Sequence, residues 1–486
     1  MMLNKIREVS QSIKNASPAW ITLSMGLIST FSASSCNNKN KPEHPNVILI
    51  ILDDMNNYTI SRAENVRTPY LDNIRKEAVT FSNAYCPAPL SMPSRASLFT
   101  GIYPHNSGVY ANGGDPWNAS AILKQAETLP ELFRRNGYYT YGRGKIYHAR
   151  MEDGRLERNF DNRPIFEGGF GPFPDSLHRI LSEKDVFSEF WGVQEYPDSI
   201  FPDIINSGAV IDFLEEKHDK PFLLTLGLWR PHTPFTAPQR FFDMYDPQEI
   251  TIPEGYLEKD LEDVPDYGKG LLDPFGRFAV TGIKNPDLWK NFIHGYYACT
   301  SFADWNVGRV MEALDKSDYA KNTIVVIFSD NGFHIGTKNH WEKNTLWDGS
   351  AEVPLIIRMP ESRLARIVNT TVGLIDLYPT LIELCGIQPP VQQLDGQSLV
   401  PFLNAESCSQ HHPVLTSLGE NLISVRSNRY RYIRYPDGES ELYDIDNDPF
   451  EWNNLIGRDG FEEVVKEHQK YIPTVFAKEL PGIRRN

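Results

Sequence analysis

The chain has 486 residues, with 48 Lys and Arg against 63 Asp and Glu, so its formal net charge is -15. This length exceeds one ordinary compact domain and predicts one large unit with a smaller one beside it. Hydrophobic residues make up 41% and aromatic residues 12% of the chain, which excludes a disordered or fibrous protein. The negative charge argues against nucleic acid as a partner, so an anionic ligand would need a local basic cluster.

The start of the chain has the composition of an export signal. A basic segment precedes the apolar stretch 19–31, which is too short and too rich in Ser and Thr to span a membrane. Small residues then precede Cys36, as they do at the cleavage site of bacterial lipoproteins. We predict a signal peptide over 1–36, lipidation of Cys36 and a polar tether over 37–44. An ordinary cleaved signal peptide is the alternative.

The next segments alternate between strand and helix patterns. The continuous apolar run 47–52 is typical of a strand buried on both faces of a parallel sheet. The further predicted elements are a helix near 70–77, a helix opened by the capping box Thr128–Glu131, a strand over 221–228, a helix over 296–315 and a strand over 323–328. This alternation predicts an α/β fold, with a large, mostly parallel sheet flanked by helices.

After about residue 400 the pattern becomes antiparallel. Alternation over 429–432, a turn at 436–438 and a return from Glu441 predict a hairpin, followed by a helix near 460–478. We therefore divide the mature chain into a catalytic α/β domain and a small C-terminal α+β subdomain with an antiparallel sheet, over 45–400 and 401–486. The Pro- and Gly-rich segments 150–205 and 236–290 are predicted to be long loops, the usual place for substrate specificity.

Four cysteines remain after Cys36, and their spacing matches no zinc site. They are Cys86, Cys299, Cys385 and Cys408. In an exported protein they could form disulfides, and scattered buried thiols are at least as good an interpretation.

Oxygen ligands follow two of the predicted buried strands. Asp53 and Asp54 end the first, and Asp330 and Asn331 end the strand over 323–328. Sites in open α/β sheets form at the carboxyl ends of strands, and hard cations, calcium first, prefer such ligands. Each pair alone could merely cap a strand or a helix, but the two together favour a metal site.

The segment from Ser91 to Gly101 carries the strongest signal. Pro93 can begin a short helix that Gly101 ends, which puts Ser91 beside a helix N-terminus, where the dipole favours anions. Arg95 lies one turn further on and can hold an oxyanion or orient Ser91. Alone, the run could be only a helix cap.

Together with Asp53 and Asp54, this string resembles the signature of the sulfatase family, in which the first residue, Cys or Ser, is oxidised to Cα-formylglycine. The other segments that resemble the family are Gly144–His148, Arg230–Phe235, Ser329–Gly332, Trp341–Lys343 and Tyr443–Leu455. The resemblance covers nearly the whole mature chain. It implies the alkaline-phosphatase-like sulfatase fold and the hydrolysis of sulfuric esters.

The resemblance also implies a ligand set and a cofactor. One calcium ion would be held by Asp53, Asp54, Asp330 and Asn331, with residue 91 as a further ligand. Formylglycine, hydrated to a geminal diol, would accept the sulfuryl group with one hydroxyl and expel sulfate with the other. Because residue 91 is serine, the partner implied for its maturation is a formylglycine-generating enzyme of the oxygen-independent, anaerobic type.

Basic residues at the starts of loops have implied roles at the sulfate. Each alone could be a solvated or turn residue, but together they form the cluster that an anionic ester needs. Arg95 and His148 would orient and activate residue 91, Lys145 and Lys343 would neutralise the sulfate oxygens, and His232 would protonate the leaving alcohol, with Lys343 as second candidate.

The loop sequences resemble the iduronate-2-sulfatase branch more than the aryl branch. We therefore expect a 2-O-sulfated uronic acid in a glycosaminoglycan fragment, although Asn331 departs from that branch, where histidine commonly follows the aspartate. Arg143 and Arg230 lie two residues before Lys145 and His232; if these segments are strands, they share a face with them and can bind a uronate carboxylate. Their alternative interpretation is surface salt bridges.

Several functions remain open besides this one. Other substrates are algal polysaccharides such as ulvan or carrageenan, and choline sulfate. A phosphoesterase of the same superfold would need a second metal with an Asp-His pair, and Asn331 follows Asp330 here. An inactive glycan-binding lipoprotein is the alternative outside enzymes. We expect the protein in the periplasm or at the cell surface, in contact with the membrane only through the predicted lipid anchor.

Overall fold

The structure is a computed structural model, and it describes residues 44–63, 65–148, 151, 154–162, 169–171, 191–194, 196–272, 284–360, 365–405 and 412–480. The predicted signal peptide, Cys36 and all of the tether except His44 lie outside the described residues. Among the helices in the described ranges, none combines the length and the apolar character needed to cross a bilayer.

Strands and helices alternate through these ranges. In chain order the strands are β1 Asn46–Asp53, β2 Val79–Tyr85, β3 Tyr139–Gly144, β4 Trp191–Gln194, β5 Phe222–Pro231, β6 Phe235–Pro238, β7 Thr323–Ser329, β8 His334–Ile335, β9 Trp341–Glu342, β10 Glu352–Arg358, β11 Arg366–Val368, β12 Val372–Gly373, β13 Val414–Gly419, β14 Leu422–Arg426, β15 Tyr430–Arg434 and β16 Ser440–Asp444. The α-helices are Asn57–Ser61, Pro69–Arg75, Ser91–Thr100, Pro104–Ser107, Pro116–Ala119, Ala121–Gln125, Leu129–Arg135, Arg155–Asn159, Pro202–Glu215, Gln239–Phe242, Asp266–Gly270, Pro286–Lys316, Asp348–Ala351, Leu377–Cys385, Val400–Leu403 and Glu462–Gln469.

The largest sheet has eight strands, in the order β11-β2-β10-β7-β1-β5-β3, with β12 also beside β2. β1 lies at its centre and is parallel to both neighbours, β5 and β7. β10 alone among these strands runs antiparallel to its neighbours, β2 and β7. The sheet is therefore mostly parallel, as the sequence predicts.

Both faces of this sheet are covered. Ile48 packs in a buried cluster with Val310 of the 31-residue helix Pro286–Lys316. Its neighbour Val47 points to the opposite face and joins a cluster that contains Leu98. Because successive side chains of a strand point to opposite faces, the continuous apolar run of β1 is what a doubly covered strand requires.

The C-terminal part contains a second sheet, in which β13, β14, β15 and β16 pair antiparallel in sequence order. This confirms the predicted hairpin and the small antiparallel sheet. The helix that follows, Glu462–Gln469, is shorter than predicted. The domain boundary near residue 400 stays a prediction.

Two other expectations are corrected or refined by the structure. The predicted helix over 296–315 begins earlier, at Pro286, because the Asn285 side chain caps its first turn. The supposed loop 150–205 contains the short helix Arg155–Asn159, which is too brief for a periodic pattern.

The cysteines in the described ranges are unpaired. Cys86, Cys299 and Cys385 are free and buried, and burial raises the pKa of each thiol, so they are inert packing residues. Cys408 lies outside the described residues.

Candidate active site

Three buried carboxylates meet at the carboxyl end of the central strands. Asp53 is the last residue of β1, Asp54 follows it, and Asp330 follows β7. Each is 0% exposed, and each offers an oxygen within 4.8 Å of the others. In the described part of the chain, this is the cluster of acidic, histidine or cysteine side chains that could hold a metal ion. The structure therefore brings together the three predicted carboxylate ligands.

The backbone at the two strand ends aims these side chains inward. Asp54 adopts a left-handed conformation with φ 64°, which turns the chain sharply at the end of β1. Its amide donates to Asp330 Oδ1 at 3.2 Å, and the amide of Asn331 donates to the same oxygen at 3.0 Å. The Asn331 side-chain amide donates to Asp54 Oδ1 at 2.8 Å. The fourth predicted ligand thus lies against the carboxylates.

The donor set fits a hard divalent cation. Asp54 Oδ2 is buried, and it has no hydrogen-bond partner among the described residues. A buried carboxylate oxygen without a partner is costly, and coordination of a cation relieves this cost. Because the oxygens belong to carboxylates and one amide, calcium and magnesium suit the site better than metals that prefer sulfur or nitrogen.

Ser91 lies at the centre of this arrangement, at the N-terminus of the helix Ser91–Thr100. Its hydroxyl lies 3.4 Å from Asp53 Oδ1 and 3.3 Å from Asn331 Oδ1. The helix begins at Ser91 itself rather than at Pro93, and it ends at Gly101 in a left-handed conformation, φ 70°. The positive end of the helix therefore points at the carboxylate cluster.

Arg95 joins the two halves of the carboxylate cluster. Its guanidinium donates to Asp330 Oδ2 at 2.7 Å and to Asp53 Oδ1 at 3.1 Å. It also donates to the carbonyls of Lys145 and, at 3.0 Å, Ile146. The buried arginine thus fixes both aspartates and the chain that carries Lys145.

Two lysines converge on the same carboxylates. Lys145 pairs with Asp53, and Lys343 pairs with Asp54 and lies 3.4 Å from the Ser91 hydroxyl. Burial raises the pKa of Asp53, but the charges of Lys145, His232 and Arg95 outweigh burial and lower it to about 2. Asp53 is therefore ionised at every physiological pH.

His232 completes the basic side of the site. Its Nε2 lies 3.5 Å from Asp54 Oδ2, and its Nδ1 lies 2.5 Å from the carbonyl oxygen of Thr233. Because a carbonyl can only accept, Nδ1 carries a proton, and Nε2 is the nitrogen that faces the site.

His148 lies in the exposed part of the loop after Lys145. Partial desolvation of its ring, and then the positive charges of Lys145 and Lys343, hold its pKa well below the ordinary value. The imidazole is therefore neutral in this site. The predicted role of His148 at residue 91 stays a prediction.

The two predicted carboxylate-binding arginines, Arg143 and Arg230, are expected to share a strand face with Lys145 and His232, and the structure does not show this arrangement. β3 ends at Gly144, whose φ is 71°, and β5 ends at Pro231, so strand alternation does not extend to Lys145 or His232. Arg230 is 3% exposed and donates to the Phe170 carbonyl at 2.5 Å and the Thr236 carbonyl at 2.8 Å. Its guanidinium is therefore engaged inside the fold, and it is not the surface salt bridge of the alternative either.

Several residues of the site have no signal in the sequence motifs. The Asn112 side chain accepts from the amide of Met92 at 3.0 Å and so supports the helix beside Ser91. The Tyr296 hydroxyl donates to the carbonyl of Asp54 at 2.8 Å. Phe170 stacks on the His232 ring, with centroids 4.4 Å apart. They reach the site from distant parts of the chain, so only the fold could identify them.

A mostly parallel sheet that presents buried carboxylates and a helix-terminal serine to a group of cations is the arrangement of an α/β enzyme that hydrolyses anionic esters. Two solved structures share this fold. A 2-O GAG sulfatase has TM-score 0.66 and 24% identity, covering 88% of this chain and 91% of that one. A phosphonate monoester hydrolase from Silicibacter pomeroyi has TM-score 0.71 and 20% identity, covering 88% and 94%. At these identities the likeness shows the fold, which is alkaline-phosphatase-like.

Sequence relatives then assign the family. The sulfatase family matches residues 45–387, and the C-terminal family of N-sulphoglucosamine sulphohydrolase matches 336–478. A sulfatase of Formosa agariphila is 35% identical, over 89% of this chain and 87% of its own length. An ulvan-active sulfatase of the same species is 28% identical, over 91% and 84%, and human iduronate 2-sulfatase is 25% identical, over 87% and 80%. The chain belongs to the sulfatase family and is a sulfuric ester hydrolase.

Proposed function

We propose that this sulfatase removes sulfate from a sulfated polysaccharide or oligosaccharide, most specifically from a 2-O-sulfated uronic acid, and that it uses calcium and a formylglycine made from Ser91. The observation that carries the mechanism is the position of Ser91. Its hydroxyl lies between Asp53 and Asn331 of the ligand set, and Lys343 lies 3.4 Å away on the basic side.

Formylglycine and calcium would each supply one kind of chemistry. Formylglycine supplies a nucleophile that releases sulfate without leaving a stable serine ester. Calcium supplies Lewis-acid polarisation of a sulfate oxygen. Asp53, Asp54, Asp330 and Asn331 are the residues that would hold the ion.

The chain's own residues perform the remaining steps. Lys145 and Lys343 bind the sulfate oxygens and stabilise the charge that develops on them. Arg95 keeps the aspartates in place through the bonds that join Asp330 to Asp53. His232, in its doubly protonated form, presents Nε2 to the leaving oxygen as the proton donor, and His148 accepts a proton at residue 91.

The substrate assignment has support from two kinds of neighbour. One relative is named iduronate 2-sulfatase, and one solved structure is described as a 2-O GAG sulfatase. The relative with ulvan as substrate and another named choline-sulfatase keep algal polysaccharides and choline sulfate as alternatives. Initial rates on a 2-O-sulfated uronate disaccharide, an ulvan fragment and choline sulfate decide among them. A preference for either of the last two contradicts the uronate assignment.

We further propose that the protein is exported and anchored by a lipid on Cys36, in the periplasm or at the cell surface, after maturation by an anaerobic-type formylglycine-generating enzyme. The basic start, the apolar stretch 19–31 and the small residues before Cys36 support export. Replacing Cys36 by Ser should release the protein from the membrane fraction. Unchanged fractionation would contradict the anchor.

The mechanism is tested at residue 91. Peptide mass spectrometry of active enzyme should show the loss of two hydrogens from Ser91, and Ser91→Ala should abolish turnover. Ser97→Ala is the matched control, because Ser97 lies on the same helix and its buried hydroxyl has no hydrogen-bond partner among the described residues. Full activity with unmodified serine would disprove the formylglycine mechanism.

A further inference from the structure

An aromatic wall lies against His232. The ring of Phe170 stacks on the imidazole with a centroid distance of 4.4 Å and an interplanar angle of 22°. Trp229 meets the edge of Phe170, with centroids 5.0 Å apart. The two rings also flank the Lys145 ammonium, which lies 5.8 Å from the centroid of Phe170 and 5.5 Å from that of Trp229.

The stack restricts the one motion of the imidazole that its polar contacts leave open. The contact of Nδ1 with the Thr233 carbonyl at 2.5 Å and that of Nε2 with Asp54 Oδ2 at 3.5 Å define a line through the ring. The flat face of Phe170 opposes rotation of the imidazole about this line, whereas solvent in the same place would oppose it much less. Phe170 therefore determines the plane in which Nε2 presents its proton.

Arg230 forms hydrogen bonds with the backbone of both residues in the stack, Phe170 and His232. One guanidinium nitrogen donates to the Phe170 carbonyl at 2.5 Å, and another donates to the His232 carbonyl at 3.3 Å. Its own backbone is held by Asp203, which accepts from the Arg230 amide at 3.1 Å. A buried, rigid fork with several donors is well suited to hold two chain segments at a fixed separation.

We propose that Phe170 and Arg230 are positioning residues that hold Nε2 of His232 on the oxygen that leaves the sulfur. The inference rests on the proposed role of His232. When the sulfuryl group passes to residue 91, the bond between sulfur and the leaving oxygen breaks, and its electron pair stays on that oxygen. The donor is the doubly protonated ring: its Nε2 proton moves to that oxygen, and the neutral imidazole that remains keeps the Nδ1 proton on the Thr233 carbonyl. An imidazole rotated out of line cannot make this transfer.

The dependence of rate on the leaving group distinguishes positioning from general damage. A good leaving group such as p-nitrophenolate departs without a proton, whereas a poor one needs it. Loss of the wall around Lys145 lowers the rate on every aryl sulfate alike, because Lys145 contacts the sulfate end. A misplaced His232 lowers the rate more as the leaving group becomes poorer.

The experiment uses the full chain, matured in the cell, and a series from p-nitrophenyl through phenyl to p-methoxyphenyl sulfate. For Phe170→Ala we expect kcat/KM to fall on the order of 10- to 100-fold further on p-methoxyphenyl than on p-nitrophenyl sulfate, within the range of general acid catalysis. Phe170→Leu should show the same steepening with its apolar volume kept. Phe170→Tyr should restore the wild-type slope, and Trp229→Phe should leave the slope unchanged.

Three outcomes would overturn the proposal, and they distinguish its failure from failure of the proposed mechanism. Equal losses on all esters in Phe170→Ala, with the wild-type melting temperature, would show that the stack does not position Nε2. If His232→Ala itself lowers all rates equally, His232 is not the proton donor, and both the proposed mechanism and this inference fail. Steepening in His232→Ala without steepening in either Phe170 variant would retain the donor and reject its positioning by the wall.

Discussion

A buried lysine connects the segment that carries Lys343 with Asp260 and with the C-terminal part of the chain. Lys338 Nζ lies 2.7 Å from Asp260 Oδ1, and their side chains are 2% and 0% exposed. The same ammonium donates to the Glu451 carbonyl and lies 5.0 Å from the centroid of the Tyr443 ring. Lys338 itself has φ 55°, a left-handed conformation that its surroundings must enforce. We predict that breaking this pair destabilises the fold with a characteristic pH dependence.

The loss of stability depends on whether the remaining partner of the pair stays charged or becomes neutral. Leaving one member of a buried pair charged and alone costs about 3–5 kcal/mol. Neutralising it instead costs about 1.4 kcal/mol for each pH unit between the solution and its ordinary pKa. At pH 7 that is roughly 4 kcal/mol for Asp260 in Lys338→Met and roughly 5 kcal/mol for Lys338 in Asp260→Ala. Both variants should therefore lose about 3–5 kcal/mol at pH 7.

Away from pH 7 the two variants should diverge. Burial already raises the pKa of Asp260 to about 6. In Lys338→Met this pKa rises further, so the stability falls as pH rises above the ordinary aspartate value and is partly recovered at pH 5. In Asp260→Ala the ammonium keeps the Glu451 carbonyl but loses its counter-ion, so this variant should not share the recovery at pH 5.

Urea unfolding followed by circular dichroism at pH 5, 7 and 9 measures these differences against wild type. The double variant Lys338→Met/Asp260→Leu is the control, because it removes both charges and should lose less than either single variant. Parallel pH profiles in the two single variants would refute the reasoning, since they would show that neither unpaired group is desolvated.

Three further predictions concern packing, a buried acid and the metal. A Cβ at Gly227 would lie 1.8 Å from the Lys145 carbonyl oxygen. Gly227→Ala should therefore lower the free energy of unfolding, measured in urea, by at least about 1–3 kcal/mol and remove most of the activity. Wild-type stability in this variant would contradict the close contact. Burial raises the pKa of Asp304 to about 7, although its carboxylate accepts hydrogen bonds from the amides of Tyr70 and Leu71. The stability of the fold should therefore fall as pH rises from about 4 to 7, and the Asp304→Asn variant should lack this part of the pH dependence. Equal pH slopes in the variant and the wild type would contradict this prediction. Removal of metal by a chelator should abolish turnover and lower the melting temperature, and calcium should restore both, whereas elemental analysis showing two zinc ions per chain would favour a phosphoesterase site.

The sequence predicts the elements whose pattern is local. The apolar run before Asp53 and the capping box at Thr128 depend on neighbouring residues alone, and both are observed. The predicted ligands converge because the ends of adjacent parallel strands meet at one edge of the sheet. Local pattern and topology therefore suffice to predict that these side chains converge, and the motif resemblance suffices for the family.

Local pattern and topology do not suffice to place side chains that lie in the loops after a strand ends. The spacing of two between Arg143 and Lys145 suggests a shared face, but the positive φ of Gly144 redirects the chain between them. Phe170 reaches His232 only because Arg230 ties together segments that are far apart in sequence. The direction of a side chain after a turn depends on such contacts, which no periodicity encodes.

The proposed selection of a uronate would then depend on Arg143, one of the two predicted arginines. Alternation along β3 puts Arg143 on the same face as Tyr141, and its Nε is buried without a hydrogen-bond partner among the described residues. A buried donor of this kind is available to an anion, whereas the guanidinium of Arg230 is engaged by backbone carbonyls. We expect Arg143 to bind the substrate carboxylate.

The two arginines provide a matched pair for the test. Arg143→Gln should lower kcat/KM on a 2-O-sulfated uronate by about 1.5–3 kcal/mol, roughly 10- to 150-fold, and hardly change it on p-nitrophenyl sulfate. Arg230→Gln should lower the melting temperature and the rates on both substrates, because it loosens the segment that carries His232. Equal losses on the two esters in Arg143→Gln would place this arginine with the sulfate or the fold. Because the two variants remove the same charge, only the contacts described for each side chain can account for a difference between them.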